Sequence, residues 1–411
     1  MNDNDFLENT LKILERSCKA GGIEDNYFKI LSRPSRSLKV EYPAYFDNGE
    51  IQMIRAYRVQ HTNAPGPYKG GIRISEQANE NEVTALSILM SLKCAIAGLP
   101  YGGSKGSICV DHKKLSRNEL ERVCRGYMRA IYPIIGPDVD IPAPDMNVPE
   151  EAIGWMMDEY ERTVYHHAPF CITGKPLELG GIKGRKTAVA WGGIYIMEEL
   201  EKAFSCKCGK FAIQGAGNVG GNMARILHEK NKKVVALSDS SGAAFNEEGL
   251  DIPSLMRHKE KTGSVLGFNG AEDITNESLL GLDVDILVPA AKEDQITAKN
   301  ASKISARTVL SLANGPITDE ASKMLEGRGI IVVPDILANS GGVIVSYFEW
   351  VQGKEGYAWS GSRVSSSLKE SMKRSFRDVL EISKEYKQGM YTSAYILGVK
   401  NLVKAMKARS Y

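Results

Sequence analysis

The sequence predicts an α/β protein of two domains flanking a cleft. Three observations carry that prediction. The chain has 411 residues, and at about 150 residues per domain a single hydrophobic core is too few. Its N-terminal part mixes helical periodicity with β-alternation. From about residue 186 onward, short apolar runs alternate with helices, the pattern of βαβ units on a parallel sheet.

The elements follow in order. Leu7, Leu11, Leu14 and Cys18 share one helical face over 3–20, and Gly21-Gly22 ends it. Residues 37–61 alternate and are β-rich, with Asp47-Asn48-Gly49 as a hairpin turn. A helix over 80–97 presents Val83, Leu86, Met90 and Ala97 as its apolar face. Ser116 and Glu119 form a capping box for a helix reaching about Tyr132. Gly136-Pro137 and Ile141-Pro142-Ala143-Pro144 break the chain, and Pro149 opens a helix to about Tyr165. Glycines between 173 and 186 read as a hinge. A helix then spans 188–203. Strands are expected at 211–214, 233–238, 284–288 and 330–333, with a helix at 218–230. Beyond Gly342 the pattern is nearly all helix.

Composition narrows the function classes. Hydrophobic residues are 43% and charged residues 25%, which excludes a disordered chain, a collagen-like repeat or a disulfide scaffold. Lys+Arg 52 against Asp+Glu 50 leaves a net charge of +2. That balance supplies no general electrostatic footprint for nucleic acid or an anionic membrane. No run reaches the ~18 apolar residues of a membrane helix, and Met1 to Asp5 have no signal-peptide character. The seven cysteines read as reduced, cytoplasmic thiols. Cys206 and Cys208 form a lone C-x-C without a second Cys/His pair, so no metal is expected.

Gly215-Ala216-Gly217-Asn218-Val219-Gly220 fits G-x-G-x-x-G. The pattern alone is common in glycine-rich chains, and a turn without a ligand, or FAD or another nucleotide, are its alternatives. Here a strand precedes it, a helix follows, and the next strand ends at Asp239. That context makes a Rossmann-like dinucleotide-binding domain, with the pyrophosphate at the helix N-terminus. Asp239 would accept from ribose hydroxyls and favours NAD. Ser240 and Ser241 could donate to a 2′-phosphate, so NADP stays open.

Three lysines stand in unusual settings: Lys69 among Gly66, Gly70 and Gly71, Lys93 between Leu92 and Cys94, and Lys105 among Gly102, Gly103 and Gly106. A single lysine is ordinarily a solvated charge. Three converging ammonium groups would suit a dicarboxylate, and their mutual repulsion would free one as a base. Asp145 lies in a Pro-rich turn, where the plain alternative is a helix cap.

Gly66–Arg73, Pro100–Gly106, Pro142–Asn147, Thr173–Pro176, Gly215–Gly220, Ser238–Ser240, Ala313–Pro316 and Asn339–Trp350 occur in one order along nearly the whole chain. Together they resemble the glutamate/leucine/phenylalanine/valine dehydrogenases, the glutamate branch most of all. The resemblance implies reversible NAD(P)-dependent oxidative deamination of L-glutamate to 2-oxoglutarate and ammonia. Lys105 is then the catalytic lysine and Asp145 its proton shuttle. Lys93 holds the α-carboxylate, and Lys69 and Ser346 hold the γ-carboxylate. Ala143 and Val343 line the side-chain pocket, and Asn339 and Asn314 lie near substrate and nicotinamide. Cofactor contacts fall to Gly215, Gly217, Asn218, Val219, Gly220, Asp239, Ser240, Asn314 and Val189. The implied domains are 1–183 for substrate and oligomerisation, 184–350 for the dinucleotide, and 351–411 returning to the first. A homo-oligomer, as a hexamer, is expected.

The sequence departs from the family pattern at Val189, in place of a threonine, and at Leu312, Ser340, Ser107 and Asp294. These departures leave two alternatives: a dehydrogenase of a branched-chain or aromatic amino acid, and a non-catalytic regulatory subunit.

Overall fold

The computed structural model describes residues 5–205 and 208–410. Cys206, half of the C-x-C pair, lies outside the described residues. The chain divides into two compact units. Unit 1 holds 1–185, 343–365 and 396–411, and unit 2 holds 186–342 and 366–395. The sequence reading sends all of 351–411 to the first domain; here the stretch 366–395 groups with the second.

Unit 1 begins with α1 (Asp5–Ala20), α2 (Asp25–Leu31), β1 (Arg36–Tyr45), β2 (Ile51–Thr62) and β3 (Tyr68–Ile74). It continues through α3 (Glu80–Ile96), β4 (Gly103–Ile108), α4 (Arg117–Ile131), β5 (Asp140–Pro144) and α5 (Glu150–Val164). The five strands form one sheet in the order β1-β2-β4-β3-β5. β1–β2 and β2–β4 are antiparallel, and β3 runs parallel to both β4 and β5.

The sequence reading marks no strand at 68–74 or 103–108 and takes 141–144 as a break in the chain. The reason is steric. A Cβ on Gly70 would stand 1.6 Å from the Ser104 carbonyl oxygen, and one on Gly103 would stand 2.3 Å from the Ser91 nitrogen. These glycines are present because neighbouring backbones press in. Pro142 and Pro144 sit on β5, the edge strand, where a missing N–H costs no ladder bond on the open side.

Register sorts the residues of this sheet by face, because side chains alternate along a strand. Arg73 pairs with Ser107, Tyr57 with Ser107, Val59 with Lys105, and Lys69 with Ile141. One face therefore carries Lys69, Gly71, Arg73, Lys105, Ser107 and Ala143. The opposite face carries Ala56, Arg58, Ile72, Ile74, Ser104, Ile108 and Asp140. Ile72, Ile74 and Ile108 pack there into a core with Val123, Tyr127 and Met128 of α4 and Ile153 and Met156 of α5.

α3 covers the lysine face. Asn79 caps it, accepting from the Glu82 N–H at 3.0 Å. It is buried nearly all round rather than on one stripe. Thr84, Ser87 and Ser91 are buried while Met90 is half-buried. Small hydroxyls are tolerated because they bond locally, Ser87 Oγ to the Thr84 carbonyl at 2.7 Å and Ser91 Oγ to His61 Nδ1 at 2.6 Å. The Ser116–Glu119 capping box is present at the start of α4.

Unit 2 opens with α6 (Ala188–Ala203), β6 (Lys210–Gln214), α7 (Asn218–Glu229), β7 (Lys233–Ser238) and β8 (Ala243–Phe245). Next come α8 (Ile252–Thr262), β9 (Glu272–Ile274), α9 (Asn276–Leu280), β10 (Ile286–Pro289), β11 (Thr308–Leu310), α10 (Asp319–Gly327), β12 (Ile331–Val333) and α11 (Asp335–Ala338). The chain ends in α12 (Gly341–Glu355), α13 (Gly361–Tyr386) and α14 (Met390–Ala408), which the two units share. The sheet order is β12-β11-β10-β6-β7-β8-β9. Its first five strands are parallel, and β8 and β9 add an antiparallel edge. Strands β8, β9 and β11 are three residues each, too short to leave a periodic signal. No helix among the described residues is long and apolar enough to cross a membrane.

Candidate active site

Lys105 and Asp145 come together on the sheet of unit 1. Lys105 Nζ donates to Asp145 Oδ2 at 2.7 Å. Arg73 Nε donates to the same oxygen at 3.1 Å, and Arg73 also pairs with Glu82. Asp145 is not the helix cap its position allows: Pro149 is the N-cap residue of α5, without a side-chain cap bond.

Burial pushes the Lys105 ammonium down to about 8, against the pull of Asp145, with Arg73 and then Lys93 adding to the fall. Burial alone would raise the Asp145 carboxyl, but Lys105 and Arg73 outweigh it and hold the group well below the usual carboxylate range. The site therefore holds an ionised carboxylate against a lysine poised to lose its proton near neutrality. Desolvation, more than repulsion among lysines, accounts for that poise.

Lys69 lies on β3 of the same face and is 1% exposed. Its Nζ donates to the carbonyls of Ile141 at 3.0 Å and Pro142 at 3.4 Å. Burial, then the charges of Arg185 and Arg58, push it down to about 7. Ser346, on α12, meets the same point. Thr173 donates its N–H to the Pro142 carbonyl at 3.0 Å, and Thr173 Oγ1 touches Ser346 Oγ at 2.6 Å. A single carbonyl thus joins Lys69 and Ser346 through Thr173. Lys93, in the last turn of α3, is 7% exposed. Ala143 on β5 and Val343 on α12 are buried.

Arg185 is a residue that sequence reasoning missed. Burial lowers its guanidinium, with Glu349 and Asp145 pulling it back up. Its Nε is buried without a hydrogen-bond partner among the described residues. Its charge is felt by Lys69, so an unpaired donor stands near that ammonium. Only the hinge-like glycines around it were visible in the sequence. Glu349 accepts from the N–H groups of Gly174 and Lys175 at 2.8 and 3.2 Å and from Lys175 Nζ at 2.7 Å. This fully buried carboxylate fixes the Thr173 segment.

In unit 2 the three glycines of the fingerprint differ in what they permit. Gly215 has φ +103, and a Cβ there would stand 2.9 Å from the Ala290 carbonyl oxygen. A Cβ on Gly217 would meet nothing within 4 Å. One on Gly220 would stand 1.9 Å from the Gly215 carbonyl oxygen. So the first makes the turn, the third lets α7 press on β6, and the second opens on free space. Gly217 and Asn218 are exposed and Val219 half-buried, leaving the N-terminal amides of a 12-residue helix accessible to an anion. These residues fit a pyrophosphate.

Asp239 follows β7. Its Oδ1 accepts from the Ser241 N–H at 2.8 Å and its Oδ2 from the Val265 N–H at 2.7 Å. Two backbone bonds fix the carboxylate and leave lone pairs for a diol. Ser240 is exposed. Asn339 Nδ2 donates to Asn314 Oδ1 at 3.1 Å and to the Ala313 carbonyl at 3.1 Å, while Asn339 Oδ1 is buried without a partner among the described residues. Val189 is half-buried in the first turn of α6.

Two of the unusual residues of this unit, Leu312 and Ser340, have local partners. Leu312 packs against Gly193, where a Cβ would stand 3.0 Å from its Cδ2. Ser340 Oγ donates to the Leu337 carbonyl at 2.8 Å. Six described cysteines are free, and no His/Cys/Asp/Glu cluster suited to a metal occurs among the described residues.

Two family models match this chain. Residues 180–410 match Glutamate/Leucine/Phenylalanine/Valine dehydrogenase, and residues 34–162 match the Glu/Leu/Phe/Val dehydrogenase dimerisation domain. A catabolic NAD-specific glutamate dehydrogenase of Bacillus subtilis is 45% identical over 410 residues, covering 99% of this chain and 96% of that one. An NAD-specific glutamate dehydrogenase of Staphylococcus aureus is 41% identical, covering 100% of this chain and 99% of that one. Among solved structures, a hetero-hexameric glutamate dehydrogenase from Thermus thermophilus in a Leu-bound form superposes with a TM-score of 0.95. It is 33% identical and covers 99% of this chain and 98% of that one.

Proposed function

The chain belongs to the Glu/Leu/Phe/Val dehydrogenase family, and from that premise we propose how its residues carry out the NAD-dependent oxidative deamination of L-glutamate to 2-oxoglutarate and ammonia. The observation that supports the reading is that Lys105, bonded to Asp145, and Lys69 share one face of the sheet, with Ser346 joined to Lys69 through Pro142 and Thr173.

In this reading Lys69, Ser346 and Arg185 hold the γ-carboxylate, and Lys93 holds the α-carboxylate. Ala143 and Val343 enclose the methylenes. Holding both ends of the substrate fixes Cα, and orientation of that kind supplies much of a rate enhancement. NAD, when bound, would supply the hydride acceptor, and the residues that would hold it are Gly215–Gly220, Asp239 and Ser240, with Val189, Asn314 and Asn339 as the residues that would meet its nicotinamide end. Neutral Lys105 then takes a proton from the water that attacks the iminium carbon. The ionised Asp145 relays that proton through its 2.7 Å bond to Lys105 to the carbinolamine nitrogen; as the C–N bond breaks and C=O forms, the hydroxyl proton returns to neutral Lys105 and ammonia leaves.

NAD over NADP follows the NAD-specific relatives, and the Asp239 carboxylate would repel a 2′-phosphate. The test is steady-state kinetics with L-glutamate, norvaline, leucine and phenylalanine against both cofactors. We expect glutamate and NAD to give the highest kcat/KM, by tenfold or more over each competitor, at about 1.4 kcal/mol per tenfold. Leucine or phenylalanine oxidised faster than glutamate would overturn the substrate.

The pH profile separates the two lysines. At saturating glutamate the bound carboxylate keeps Lys69 charged, so turnover should rise as pH passes through about 8 and Lys105 loses its proton. KM for glutamate should climb above pH about 7, as free Lys69 loses the charge it needs. KM for norvaline, which has no γ-carboxylate, should show no such climb. Parallel pH profiles for both substrates would contradict these roles.

We further propose a cytoplasmic homohexamer. The hexameric neighbour supports an oligomer. β1 is an edge strand, and Tyr45, Ile51 and Met53 stand exposed at the tip of its hairpin. An apolar edge of this kind is suited to pairing with a second copy.

A further inference from the structure

We propose that the buried Arg58–Asp140 pair is a positioning and selectivity device that fixes the spacing of the strands carrying Lys69 and Lys105. The proposal rests on the reading of Lys69 as the γ-carboxylate partner and Lys105 as the base.

Both side chains have no solvent exposure. The pair is bidentate, Arg58 Nε to Asp140 Oδ2 at 2.9 Å and Nη2 to Oδ1 at 2.5 Å. The remaining valences reach across the sheet. Arg58 Nη1 donates to the Gly70 carbonyl at 3.2 Å, and Nη2 donates to Ser104 Oγ at 2.8 Å. Asp140 also accepts from Ser104 Oγ at 2.8 Å and from Gln60 Nε2 at 2.9 Å. One ion pair thereby ties β2, β3, β4 and β5.

The residues it grips are the immediate neighbours of the two lysines. Gly70 follows Lys69, and Ser104 precedes Lys105. Period two sends Arg58, Ser104 and Asp140 to the core face and the lysines to the other. The fork therefore acts from beneath, one peptide away from each lysine. At this place the strands stand as close as they can, since any Cβ on Gly70 would collide with Ser104.

Stability alone does not call for such a pair. Apolar residues of similar volume commonly serve as well in a core, and Ile72 and Ile108 already line this one. What apolar side chains cannot do is join the Gly70 carbonyl and the Ser104 hydroxyl to one planar fork.

The test is the full-length double variant Arg58→Met/Asp140→Leu, which removes both charges together and leaves neither unpaired. We expect a cooperatively folded protein with unchanged NAD binding. Its kcat should fall, and its kcat/KM preference for glutamate over norvaline should drop about tenfold or more, since small misplacements near a reacting centre cost up to ~10²-fold. Arg58→Lys, which keeps the charge but loses the fork, should lie between. A folded double variant with wild-type kcat and preference would overturn the proposal. If the double variant does not fold, Ser104→Ala carries the test. It breaks the link to the Lys105 strand and keeps both charges. A severalfold loss of kcat is then expected, and wild-type kinetics would overturn the proposal. Lys69→Leu run alongside separates the two layers. An unchanged preference there removes the Lys69 reading itself. A lowered preference there with an unchanged one in the double variant overturns only the positioning role.

Discussion

Lys105→Ala should lower kcat for glutamate oxidation by about 10³-fold or more while NAD still binds with wild-type affinity and glutamate binding remains measurable. General acid–base groups contribute about 10²–10⁴-fold. Lys105 is the single group on this face that is both held against a carboxylate and pushed down to about 8 by burial. The methyl group left behind can neither take a proton from water nor deliver one to Asp145. Stopped-flow absorbance for turnover and titration calorimetry for binding check both halves. Turnover within tenfold of wild type would remove Lys105 from the chemistry.

Lys69→Leu should have the second largest effect, and a selective one. Leucine there leaves the γ-carboxylate to enter a buried pocket with its main counter-charge gone. Breaking a buried pair in this way costs about 3–5 kcal/mol, which is roughly 10²-fold to several thousand-fold in kcat/KM. Arg185 and Ser346 remain, so the lower end is expected. Norvaline, without the carboxylate, should change by less than about threefold, because the Leu side chain suits its methyl end. Equal losses for both substrates would mean that Lys69 supports the fold rather than reading the side chain.

How much of this was legible in the sequence depends on the range of the contacts involved. The Ser116–Glu119 box, the Gly215–Gly220 turn and the helix over 188–203 are set by neighbours within a few residues. Each left a local signature and was read correctly as an element. β3, β4 and β5 were not. Their glycines and prolines answer to strands far away in sequence, such as the contact of Gly70 with Ser104, so they leave no alternating pattern. The half-buried Met90 on α3 has the same origin, because a helix enclosed all round carries no polar face to orient it.

The candidate residues Lys69, Lys93, Lys105 and Asp145 were noticed one by one from odd local surroundings. Their electrostatics were not accessible that way. Lys105 was expected to lose its proton through repulsion by other lysines, yet burial acts first and Arg73 exceeds Lys93. Arg73 carries no local mark until register places it across from Ser107 beside Asp145. Arg185 and Glu349 act on Lys69 from positions 116 and 280 residues further along the chain. The Arg58–Asp140 pair joins residues 82 apart. No single-sequence pattern marks such partners, since their meaning is created by the fold.

The central claim is that this chain by itself oxidises glutamate. It is tested most directly by the rate at which the NADH absorbance appears when L-glutamate and NAD are added to the purified, folded chain alone, with ammonia measured in the same samples. Steady NADH formation with one ammonia released per NADH is the predicted result. A folded chain that binds NAD and yields no NADH, and gains activity only when an active partner subunit is supplied, would contradict it.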